Sequence, residues 1–83
     1  MIREYASDLA AQLGITLSSV TIVEGRRIGC SDSHLLHLTA VGQKVSALIH
    51  QSELDELYNG YYCGRLELKI HSALSRLKLM LQS

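Results

Sequence analysis

The sequence predicts an α+β fold: one small domain over residues 1–83, with a three- or four-stranded antiparallel sheet and helices packed on it. Three observations predict it. Apolar residues recur at helical spacing near both ends of the chain, β-branched or alternating segments fill the middle, and glycines stand at the joins. A chain of 83 residues holds one hydrophobic core, not two.

Ile2, Tyr5, Ala6, Leu9, Ala10 and Leu13 follow the i, i+3, i+4, i+7 pattern, which predicts a helix over residues 2–13. Gly14 is its natural stop, because the residue after a helix often needs a left-handed backbone. Val20-Thr21-Ile22-Val23 is β-branched throughout and predicts a strand. Gly25-Arg26-Arg27 reads as a turn, Ile28-Gly29-Cys30 as a short additional strand, and Ser31-Asp32-Ser33 as a loop.

Residues 34–50, HLLHLTAVGQKVSALIH, predict a β-hairpin. Gly42-Gln43 suits a type II′ turn, whose first central position needs positive φ. That turn sets Ala40 against Val45, Leu38 against Ala47 and Leu36 against Ile49, an apolar face without exception. The other face carries Leu35, His37, Thr39, Ser46, Leu48 and His50, which is too apolar for a solvated sheet. Leu35, His37, Leu48 and His50 are therefore expected on an interaction surface.

Ser52-Glu53-Leu54-Asp55 resembles a capping box with Asp in place of Glu, opening a short helix that carries Leu54, Leu57 and Tyr58. Asn59-Gly60 ends it. Leu66, Ile70, Ala73, Leu74, Leu77, Met80 and Leu81 make one broad stripe on a last helix over residues 64–82. Leu68 and Leu79 lie eleven residues apart on its opposite side, at nearly the same angle, and hint at a second buried surface. The order is α-β-(β)-β-β-α-α, with the two C-terminal helices packed on the sheet.

Formal net charge is zero, which argues against a bulk electrostatic pull towards nucleic acid or anionic membrane. It also leaves little repulsion against self-association, so a homodimer is expected. The first residues lack the basic and apolar blocks of a signal peptide, and no stretch is long enough to span a membrane. Cys30 and Cys63 make no dense disulfide framework, and a cytoplasmic location is the expectation, with a Cys30–Cys63 bridge left open.

Cys30, His34 and His37 lack the tight pairing of structural zinc ligands, and His34 and His37 point to opposite faces of a strand; no metal or cofactor is expected. Cysteine–histidine sets with Asp32 have no nucleophile turn or phosphate loop beside them, so no enzyme is expected. Tyr58, Tyr61 and Tyr62 either form an interface cluster or plug the end of the core. Arg65, Lys69 and Arg76 fall on one line of the last helix, as phosphate contacts or as a solvated flank.

The segment DLAAQLGITLSSV, residues 8–20, places Ala10, Gly14, Ile15 and Val20 where two crossing helices want a small residue, a turn glycine and two apolar residues. It resembles the core of helix-turn-helix DNA-binding domains. The resemblance spans residues 6–24 and implies a DNA-binding regulator, with the hairpin as a wing and the basic last helix near phosphates. The reading favoured by the residues themselves is a small non-enzymatic interaction module or accessory protein acting by surface binding. The conformation of residues 16–24 separates the two.

Overall fold

The computed structural model describes residues 2–25, 29, 32–61 and 64–82. The elements run α1 (Ile2–Gln12), β1 (Ser19–Val23), β2 (Ser33–Ala40), β3 (Gln43–His50), α2 (Gln51–Tyr58) and α3 (Gly64–Gln82). The strands pair antiparallel in the order β1-β2-β3. This is the predicted α+β domain with three strands among the described residues. The additional strand expected over residues 28–30 falls on Ile28 and Cys30, which lie outside them.

The helices cover one face of the sheet. Val20, Leu36, Leu38, Ala40, Val45, Ala47 and Ile49 are buried on that face. Ala6, Leu9 and Ala10 of α1 and Leu66, Ile70, Ala73, Leu74 and Leu77 of α3 complete the same core. Alternation in β2 is strict, every second residue being buried, as a strand with one covered face requires. The shortest principal extent is 17 Å, enough for one helix layer on one sheet. Two residues depart from expectation. Met80 is exposed, while Leu81, the next residue of α3, is half-buried against the core. His34 shares the parity of Leu36 and is buried, so the covered face is not wholly apolar.

The hairpin forms, but in a different register. Ala40 faces Gln43, Leu38 faces Val45, Leu36 faces Ala47 and His34 faces Ile49. The two-residue loop is Val41-Gly42, with φ of 50° and 77°. Two positive φ values make a type I′ turn, with glycine at the second central position rather than the first. The expected pairing is shifted by two residues, which leaves every side chain on its face and so escapes a patterning argument. The observed register brings polar residues into cross-strand pairs. His37 Nδ1 and Ser46 Oγ lie 2.6 Å apart, and Ser33 Oγ and His50 Nδ1 lie 3.2 Å apart.

Both Gly-ended helices stop as predicted. Gly14 N–H donates to the Ala11 carbonyl and Ile15 N–H to the Ala10 carbonyl, a Schellman closure with Gly14 at φ 76°. Gly60 and Tyr61 repeat it on the Leu57 and Glu56 carbonyls. The start of α2 differs. It begins at Gln51, with His50 as N-cap, and Glu53 Oε1 accepts the His50 N–H at 2.8 Å. Glu53, not Asp55, is the capping carboxylate, because β3 runs directly into the helix and the first turn falls earlier.

The helix-turn-helix expectation over residues 6–24 is overturned. The second helix would occupy the place of β1, which pairs with β2 from Ser19↔Thr39 to Val23↔Leu35. β-Branched residues fit a pleated sheet and fit a helix poorly.

Val41 is a β-branched residue in a left-handed conformation and is 82% exposed, so its side chain contributes little to packing and the backbone carries the strain. Val41→Asn is expected to stabilise the fold by about 1 kcal/mol, measured as a raised urea midpoint with an unchanged slope.

Candidate interaction surface

The uncovered face of the sheet is built in rows. Val23, Leu35 and Leu48 stand side by side across β1, β2 and β3. Thr21, His37 and Ser46 form the next row, and Ser19, Thr39 and Lys44 the one beyond. Leu35 is partly shielded and Leu48 is 50% exposed. His37 is tied to Ser46 and His50 to Ser33, so both imidazoles are held in place by strand neighbours.

The row ends in a groove. Ser46, Ala47 and Leu48 of β3 and Leu68, Lys69, Ser72 and Arg76 of α3 line a groove of about 360 Å³. Leu48 and Leu68, expected on a surface for separate reasons, thus meet at one site. Leu68 is 68% exposed. Leu79 is equally exposed but does not line the groove. Tyr58 and Tyr61 are exposed at the turn after α2, so neither plugs the core. Tyr62 lies outside the described residues.

The basic line on α3 is mostly committed to the fold. Lys69 Nζ donates to Glu53 Oε1 at 2.7 Å. Arg76 Nη2 donates to the Ser46 carbonyl at 3.1 Å, from the outer side of β3. Arg65 is exposed. Of the three expected phosphate contacts, one is an ion-pair partner and one is bound to a strand edge.

Glu53 has a role that sequence reasoning missed. It is 1% exposed, it accepts from both His50 N–H and Lys69, and its Oε2 is buried without a hydrogen bond. Burial raises its pKa, but the Lys69 hydrogen bond, the His50 amide and the Lys69 charge outweigh burial and leave it lowered. His34 was missed as well. Its Nδ1 accepts the Gly25 N–H at 3.0 Å and its Nε2 lies 2.5 Å from Gln51 Oε1. Because Nδ1 accepts from Gly25, the ring N–H is on Nε2, which donates to the Gln51 carbonyl oxygen. Gln51 Nε2 then donates to Asp55 Oδ1 at 2.9 Å. The signal for His34 was its place at a core parity of β2, and that for Glu53 was a carboxylate in the first turn of α2.

Among the described residues no group of three His, Cys, Asp or Glu side chains is placed to hold a metal ion. Among them, too, no helix is long and apolar enough to cross a membrane. Compared with known protein families, curated proteins and solved structures, the chain finds no match in any of the three.

The lowered pKa of Glu53 fixes a pH dependence. A folded value below the ordinary 4.5 stabilises the protein above that pH and ceases to do so as pH falls through the folded value. Urea titrations between about pH 6 and pH 3 should show this loss in the wild type, and a flatter profile in Glu53→Gln. Lys69→Met should cost about 2 kcal/mol at neutral pH, less than for a wholly buried pair because Lys69 is a third exposed.

Proposed function

We propose that the protein is a non-enzymatic interaction module that acts by binding another protein through the uncovered sheet face and the groove beside it. The observation that carries this reading is the meeting of Leu48 and Leu68. Two leucines from different elements, half exposed or more, line one groove and continue an apolar row across the sheet. A lone exposed leucine is ordinary, whereas apolar area assembled from three strands and a helix favours a partner.

Self-association is the alternative within this reading, favoured by the zero net charge. A second copy would then share the same apolar row.

Selection from a random-peptide display library, with the wild type as bait, tests the reading. It is expected to enrich ligands whose binding is lost in Leu48→Asp, a substitution at an exposed position that keeps the fold. The reading fails if no enriched ligand depends on Leu48 and light scattering gives a monomer at every concentration.

A further inference from the structure

β3 is an edge strand: among the described residues no strand pairs on its outer side. On that side the Ser46 carbonyl meets Arg76 and the His50 N–H meets Glu53. Alternate residues of an antiparallel strand present their N–H and C=O to the same edge, so Lys44, Ser46, Leu48 and His50 aim their backbone groups outward. The groove between this edge and α3 therefore offers main-chain donors and acceptors as well as apolar walls.

We infer that the groove takes an extended acidic segment of another protein, which adds to β3 as a fourth strand and sets a carboxylate against Arg76. The inference rests on the interaction-module reading and names the partner's chemistry. Three features of the groove select this occupant. A strand edge is satisfied by an extended chain, whose own amides alternate at the same spacing, and not by a helix. Leu48 and Leu68 reward apolar side chains on the incoming segment. Among the lining residues the only charges are Lys69 and Arg76, both cationic, and no carboxylate stands with them in that lining.

Of these cations, Lys69 is matched by Glu53, whereas Arg76 is bonded to a neutral carbonyl and its charge is not compensated there. On binding, the Ser46 carbonyl accepts an amide N–H of the incoming strand, and the Arg76 guanidinium exchanges that carbonyl for a carboxylate, a stronger charge-assisted bond. Arg76 is thus a latch over the edge in the unbound protein and a clamp in the bound one. The same charges disfavour a second copy in this groove. A self-complementary pairing of β3 with β3 would set each cation near its own counterpart. One uncompensated cation between leucines also gives little counterion release to a nucleic acid.

The test uses fluorescein-labelled peptides of about eight residues, long enough to span β3. One alternates Leu and Glu; a second alternates Leu and Lys. Two further versions of the Leu/Glu peptide carry N-methyl groups on one or the other set of alternate amides, and a short oligothymidine is the nucleic-acid probe. Binding is read by fluorescence anisotropy and by amide shifts in the ¹⁵N-labelled protein. The Leu/Glu peptide is expected to bind and to shift Lys44, Ser46 and Leu48. One N-methylated version should lose binding and the other keep it. Arg76→Glu should weaken the Leu/Glu peptide by about tenfold or more. Leu68→Ser, at an exposed helix position, should keep the fold and also weaken it.

The inference is overturned if the Leu/Glu peptide fails to bind, if the Leu/Lys peptide or the oligothymidine binds as well, or if both N-methylated versions bind like the parent. It is also overturned if concentration-dependent shifts of the β3 amides accompany dimer formation. A display-selected ligand that needs Leu48 but is basic or helical overturns the acidic strand and leaves the interaction module standing.

Discussion

Leu66, Ile70, Leu74 and Leu77 of α3 are fully buried against a sheet that is three strands wide among the described residues, and the rest of the molecule depends on that contact. Each such side chain contributes about 1.5–3 kcal/mol by leaving water. No Phe or Trp is present, so aliphatic packing carries the core. Covering one face with α1 and α3 uses the apolar stripes of both helices. The opposite face then has no helix of its own among the described residues, and its character follows from what the strands place there. Leu35 and Leu48 remain because the inner face had first claim on the helices, and their exposure is a consequence of architecture before it is a signal of binding.

The polar devices sit where that core ends. Glu53 closes the first turn of α2 and holds Lys69 of α3, so one carboxylate joins the last strand, the short helix and the long helix. His34 does the corresponding work at the other strand, joining Gly25 to Gln51. A buried ion pair with an unsatisfied oxygen is a modest source of stability. Its value is directional: it fixes where α2 starts and how α3 lies over β3, and therefore where Leu68 and Arg76 stand relative to the strand edge.

Much of this was legible in the residues. The β-branched run located β1, period-two and period-3.6 patterning located the hairpin and α3, and the glycines at 14 and 60 marked two helix ends. What was not legible has a common cause. A two-residue shift of register, the start of α2 at Gln51 rather than near Ser52, and the engagement of Lys69 and Arg76 all turn on contacts between residues far apart in sequence. Patterning assigns a side chain to a face but not to a neighbour. The pairing of Leu48 with Leu68 in one groove was unreadable for the same reason, although each leucine stood out alone. The helix-turn-helix resemblance failed on a local feature, the β-branched run of β1, which competes for the place of the second helix.

The shifted hairpin has one more consequence. Sliding β3 by two residues, to a turn at Gly42-Gln43, would keep every buried side chain buried, so the sheet itself has little means of rejecting the slip. What rejects it lies downstream. The slipped pairing would set His34 opposite Gln51 and draw the first turn of α2 into the ladder, at the expense of the Glu53 cap and its bond to Lys69. The helices therefore proofread the strands. The hairpin can close on its own, but its register becomes unique only when α2 and α3 dock, and a chain cut short before α3 is expected to hold the two alignments in exchange.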